Sequence, residues 1–141
     1  MGERTDLQET VKRIAERSTS EKKKVGCLII KDGRIVSTGY NRVPSVMEDQ
    51  ACELNGQTRP EVIHAEVDAL LNCNETNCTM IVSLAPCINC ASLILHSGRI
   101  SELVYLEPYK RDDGLRLLQK HGIRIVSSVR TSVFNTVLAR K

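Results

Sequence analysis

Three side chains suited to one metal ion, His64 and the close pair Cys87 and Cys90, fall in two well-separated segments of this chain. A fold that uses them must bring two separate segments to one point. His64 opens the triplet His64-Ala65-Glu66, and the cysteines belong to Pro86-Cys87-Ile88-Asn89-Cys90. One nitrogen and two sulfurs suit a tetrahedral zinc. Three protein ligands leave the fourth position open for water, as in a catalytic rather than a closed structural site. Glu66 lies two residues beyond His64, where it can move protons without binding the metal.

Regular helical geometry turns positions i and i+2 apart by about 200°. His64 and Glu66 therefore converge on one site only near the start of a helix. Pro60 or Glu61 is expected to open that helix, which runs to about Leu71. Pro86 fits the first position of a later helix and Gly98 its stop, so Cys87 and Cys90 fall in the first turn on one face. There the helix dipole and free N–H groups favour thiolates.

Around these segments the pattern alternates. Leu7, Val11 and Ile14 recur at helical spacing, which predicts an amphipathic helix over about 5–17. Val25 to Ile30 and Arg34 to Tyr40 read as strands joined through Asp32-Gly33, a pair that tolerates positive φ, and so as a β-hairpin. Residues 41–60 lose periodicity and read as a long functional loop. Thr79 to Leu84, Ser101 to Leu106 and Ile123 to Val126 read as strands, with a short helix from Leu115 to Lys120 stopped by Gly122. The tail from Ser127 carries no clear pattern. A hairpin followed by helices alternating with strands predicts an α/β fold, a three-layer α/β/α sandwich with a mixed five-stranded sheet and helices on both faces.

A chain of 141 residues is expected to form one domain, 1–141, with a real core. Hydrophobic residues at 41% and charged residues at 26% fit an ordinary soluble protein. No apolar run suits a membrane span and the N-terminus is polar, so the expected location is cytoplasmic. In such a compartment the six cysteines are expected to be thiols or metal ligands. Cys27, in an apolar run, is expected to be a buried thiol, and Cys52, Cys73 and Cys78, in or near loops, are expected to be structural; the alternatives are Cys73 or Cys78 as the fourth ligand of a structural zinc and Cys52 in a second metal site. Residues 1–42 carry ten Lys/Arg against six acids and residues 110–141 eight against two, while 43–109 carry two against nine. Basic ends around an acidic middle attract a phosphorylated substrate or serve as solvated faces. With no Trp, one Phe and three Tyr, the chain offers few stacking platforms for nucleic acid.

Cys-x-x-Cys alone is shared by redox, structural-metal and catalytic sites. The added His-Ala-Glu triplet and the Pro before Cys87 complete the H-x-E…P-C-x-x-C signature by which zinc-dependent nucleobase deaminases are identified. One carboxylate then suffices as general acid and base. A non-catalytic zinc-stabilised regulatory protein is the competing class, and it has no need of Glu66.

From about Val25 to Val126 the chain resembles the deoxycytidylate deaminase family, within the cytidine deaminase-like superfamily. The resemblance rests on Lys24-Val25-Gly26, Lys31-Asp32-Gly33-Arg34-Ile35-Val36-Ser37-Thr38-Gly39-Tyr40-Asn41, the two metal motifs, Leu103-Val104-Tyr105 and Tyr109. It implies conversion of dCMP to dUMP with release of ammonia, a Zn2+ cofactor on His64, Cys87 and Cys90, and Glu66 as the catalytic group. It also implies nucleotide contacts from Lys24, Asn41, Ala65 and Tyr109, assembly as a homo-oligomer, and dCTP and dTTP as possible effectors. Three features depart from the family pattern. Arg42 stands where Gly usually follows Gly-Tyr-Asn, a loop that serves effectors, and is itself a candidate phosphate grip. Asp68 takes the place of Asn in His-Ala-Glu-x-Asn, and the 42–60 loop is short beside the family's, without a clear second zinc site of the kind some members carry. Other substrates of the superfamily (dCTP, 5-substituted dCMP, guanine, tRNA adenosine) are alternatives. Ala85-Pro86-Cys87 differs from the Glu-Pro-Cys typical of purine deaminases, and Pro-Cys-Gly of the nucleoside enzymes is absent.

Overall fold

A computed structural model describes residues 2–128. Helix α1 spans Gly2–Ala15 and is followed by the hairpin strands β1 (Gly26–Lys31) and β2 (Arg34–Tyr40). Their turn is the expected one: Asp32 and Gly33 both have positive φ, 51° and 77°, which matches the right-handed twist of a two-residue hairpin. A 3-10 turn (Ser45–Met47) and a second, minimal hairpin, β3 (Glu53–Leu54) and β4 (Gln57–Thr58), fill the segment expected to be a loop. Helix α2 (Ala65–Leu71), β5 (Cys78–Leu84), α3 (Ile88–Ser97), β6 (Ile100–Glu107), α4 (Asp113–Lys120) and β7 (Arg124–Ser127) complete the chain. The rest of the tail, left without an assignment in the sequence, lies outside the described residues.

The sheet has the order β2-β1-β5-β6-β7. Strand β1 is antiparallel to both β2 and β5, whereas β5, β6 and β7 run parallel. The expected mixed five-stranded sheet is therefore present. Strand β1 shows why it lies inside the sheet, between β2 and β5: its buried residues alternate between faces, as the two-residue period demands. Cys27 and Ile29 join Met80, Val82 and Leu103 on one face, while Leu28 and Ile30 join Ile81, Val104 and Val126 on the other. Helix α1 covers the second face through Val11 and Ile14. Ala65, Ala69, Ala91, Ile94 and Leu118 of α2, α3 and α4 cover the first. The two parallel crossovers advance in one direction, so right-handed connections place α3 and α4 on the same side. No helix among the described residues is long and apolar enough to cross a membrane.

Two helix starts differ from expectation. Helix α2 begins at Ala65, not at Pro60 or Glu61, because the backbone before it is used elsewhere. The Val62 N–H donates to the Arg59 carbonyl in a turn, and Ile63 exchanges both its backbone bonds with Arg42. Pro60 thus serves a turn. Likewise Pro86 precedes the α3 cap, which is Cys87. Gly98, at φ 67°, ends α3 as expected.

Candidate active site

Strand β1 runs antiparallel to β5. The start of β1 and the ends of β2, β5 and β6 therefore meet at one edge of the sheet, beside the point where strand direction changes. Open α/β sheets place ligand crevices at such points. A cavity of about 270 Å³ opens there, lined by Ser20, Lys22, Lys23, Val25, Asn41, Cys52, Thr58, Val62, His64, Ala65, Glu66, Leu84, Ala85, Cys87 and Tyr109.

Two helix N-termini supply its chemistry. His64 is the N-cap of α2 and Cys87 the N-cap of α3, both with extended backbone (ψ 155° and 171°). An extended cap followed by a helical first turn removes the angular conflict between positions i and i+2, so His64 and Glu66 both line the cavity. The Cys87 sulfur accepts from the Cys90 backbone N–H at 3.5 Å, as a capping side chain should. His64 Nδ1 lies 3.1 Å from Cys90 Sγ and 3.9 Å from Cys87 Sγ. Bond lengths of about 2.0–2.3 Å in a tetrahedral site would set such atoms roughly 3.5–3.8 Å apart. The two distances fall just below and just above that range, and the three donors, all within 4.8 Å of one another, form the one metal-competent group among the described residues.

Their protonation fits a soft cation. The Cys90 thiol donates to Cys87, and together with His64 and the Cys90 backbone N–H it pulls Cys87 down to about 3. Cys90 is correspondingly pushed far up by that hydrogen bond and by burial. The Cys87 thiolate in turn raises His64. Metal ligation needs a neutral imidazole and two thiolates, so a bound cation displaces the Cys90 thiol proton and any proton on His64 Nδ1.

Glu66 is only 4% exposed. Burial lifts its carboxyl from an ordinary 4.5 to about 7, against the opposing pull of its own backbone N–H and of His64. A carboxyl poised near neutrality can both accept and return a proton.

The other expected contacts divide. Ala65 is fully buried and Tyr109 half-buried, and both line the cavity. Asn41 lines it too, yet its amide is committed to the backbone: Oδ1 accepts from Val25 N–H at 2.9 Å and Nδ2 donates to the Lys23 carbonyl at 2.8 Å. Lys24 does not reach the cavity. It lines a separate depression with Lys12, Ser83 and Glu107, while its neighbours Lys22 and Lys23 face the site. Lys23 is paired with Glu107 at 2.9 Å. Arg42 is no free phosphate grip, because its guanidinium is bonded to Asp68 through Nε at 3.1 Å and Nη2 at 2.9 Å. Cys73 and Cys78 stand outside the metal-competent group and meet each other; burial and this neighbour push Cys78 up to about 11. Cys52 lines the cavity, and its sulfur lies 3.6 Å from Thr19 Oγ1. Cys27 is a buried thiol in the core, as expected.

The sequence reading missed Ser20, Lys22 and Thr58. For Thr58 a signal existed: Asn55-Gly56, with φ of 55° and 78°, turns the β3–β4 hairpin. That hairpin is then tied down by Glu53, which accepts from Ser20 Oγ at 2.8 Å and Glu21 N–H at 3.1 Å.

Solved structures share this architecture. A dCMP deaminase from the cyanophage S-TIM5, in complex with dCMP and dUMP, superposes with a TM-score of 0.81 at 28% identity, over 87% of this chain and 94% of that one. Residues 1–107 match the family described as the cytidine and deoxycytidylate deaminase zinc-binding region, and the chain belongs to that family. Deoxycytidylate deaminases of Saccharomyces cerevisiae and Homo sapiens are 32% and 35% identical over 79% and 70% of this chain. The alignments span 40% and 61% of those two relatives. The deoxycytidylate deaminase of Mycobacterium phage D29 is 34% identical over 64% of this chain and 84% of its own length.

Proposed function

We propose that this protein hydrolyses the exocyclic amine of a cytosine deoxynucleotide, converting dCMP and water to dUMP and ammonia. The observation that carries the reading is the buried carboxyl of Glu66, sharing one cavity wall with the three-donor group of His64, Cys87 and Cys90. The names of the relatives and the dCMP and dUMP in the cyanophage structure support it.

His64, through Nδ1, with Cys87 and Cys90, would hold zinc; one nitrogen and two sulfurs suit that ion. When bound, it supplies a Lewis acid that makes water nucleophilic near neutral pH. Glu66 takes the proton of the water that attacks C4 and returns it to the ring nitrogen N3. It then carries the second proton to the amine, which leaves as ammonia. Ala65, with no side chain beyond Cβ, lets the base approach the first turn of α2. Tyr109, in the cavity wall, is assigned to the base, and Lys22, the cavity lysine beside Glu53, is assigned to the phosphate. Asn41 acts through its clip on residues 23–25. The reading extends to self-association and to control by dCTP or dTTP, which sedimentation and effector titrations decide.

The test is ammonia release and product mass with dCMP, before and after chelation and after zinc is restored. Turnover should vanish with the metal and return with it. Glu66→Gln should keep zinc and lose nearly all turnover, and an unaffected rate in that variant would refute the assignment.

A further inference from the structure

Helix α2 carries both His64 and Glu66 at its start, so whatever fixes that start fixes the site. Three contacts come from the end of β2. Gly39 packs against the helix so closely that a Cβ there would sit 2.5 Å from both the Ala65 carbonyl and the Ala69 nitrogen. The Tyr40 N–H donates to Asp68 Oδ2 at 3.1 Å, and Arg42 grips both oxygens of the same carboxylate. Arg42 also holds the chain on the other side of His64. Its N–H donates to the Ile63 carbonyl at 3.1 Å, and its carbonyl accepts from Ile63 N–H at 2.8 Å. The triplet His64-Ala65-Glu66 is thus bracketed, with Ile63 before it and Asp68 after it both bonded to one residue.

The guanidinium is itself held in place. It donates to Ser45 Oγ at 3.2 Å and lies 5.3 Å from the Tyr40 ring centroid, with Arg17 at 5.0 Å from the same ring. Asp68 is the more buried partner, its side chain 8% exposed against 31% for Arg42. A buried carboxylate with its cation removed has to be relieved by movement or by water entry, and Asp68 shares the first turn of α2 with Glu66.

We propose that Arg42 and Asp68 form one positioning clamp that sets His64 and Glu66 relative to the two cysteines. Neither touches the reacting atoms. The two positions where the sequence departs from the family pattern are thereby explained together: each needs the other. The proposal rests on the deaminase reading for its kinetic readout and on metal binding alone for its second readout.

The test is a double-mutant cycle of Arg42→Ala, Asp68→Asn and the pair together, with Arg42→Lys as the conservative variant. Zinc affinity by competition with a chromophoric chelator is measured beside kcat and KM for dCMP. Arg42→Ala, folded by circular dichroism, should lose roughly tenfold or more in zinc affinity and in kcat, the range typical of groups that orient metal ligands, with KM changed little. The double variant should lose no more than the worse single variant, because either substitution alone already opens the clamp. Arg42→Lys should fall between, and it decides the matter if the alanine variant does not fold. Wild-type zinc affinity and kcat in folded Arg42→Ala, or losses that multiply in the double variant, would overturn the clamp. A wild-type protein inactive on dCMP would sink the deaminase reading alone, since the chelator arm still decides the clamp.

Discussion

Glu66 connects the catalytic proposal to a stability measurement that needs no substrate. In the metal-free protein burial holds its carboxyl at about 7, against 4.5 when exposed. At about 1.4 kcal/mol per pH unit, that gap corresponds to about 3 kcal/mol. The sign follows from where the proton resides. Between pH 4.5 and 7 the native state keeps a proton that the unfolded chain has released, so this group lowers stability as pH rises. Below 4.5 both states are protonated and the contribution vanishes. Gln has nearly the same shape and no charge, so Glu66→Gln removes the pH-dependent part alone. Urea unfolding of both proteins, stripped of metal by chelation, should show the variant gaining on wild type from pH 4.5 to 7. The advantage should level off near about 3 kcal/mol above that. His64 and the two cysteines titrate in both proteins and cancel in the difference to first order. A difference between the two that does not change with pH would refute the claim that Glu66 is held protonated by burial.

Other outcomes follow from the same geometry. Cys87, held at about 3, should be alkylated by iodoacetamide in the metal-free protein even at pH 5, well before the buried cysteines, and zinc should protect it; peptide mass mapping reads this directly. Lys22→Ala should raise KM for dCMP several-fold more than KM for deoxycytidine, whereas Lys24→Ala should leave both unchanged; equal effects would remove Lys22 from the phosphate. Gly39→Ala should destabilise the fold by about 1–3 kcal/mol by overpacking α2, visible as a lower melting temperature together with weaker zinc retention.

Local chemistry made much of this protein legible from its residues. Asp32-Gly33 favours a hairpin between two apolar runs because both residues accept positive φ, and Gly98 ends a helix by its own backbone freedom. The metal-competent group of His64, Cys87 and Cys90 was legible for the same reason, since metal affinity resides in the donor atoms. Helix α2 was misread at its start because Pro60 is equally at home in a turn, and only the pairing of Ile63 with Arg42, distant in sequence, decides between them. Lys22, Lys23 and Lys24 are chemically equivalent in sequence. Which of them face the cavity depends on how the chain enters β1, and β1 is oriented by its neighbours in the sheet. Arg42 and Asp68 each looked like an isolated departure from the family pattern until packing placed them 2.9 Å apart. The sequence by itself determined which atoms can bind a metal and which backbone turns must occur, because those depend on single residues and short spacings. Only the tertiary structure decided which of them act together, because a charge pair or a buried proton exists only once distant segments exclude water between them.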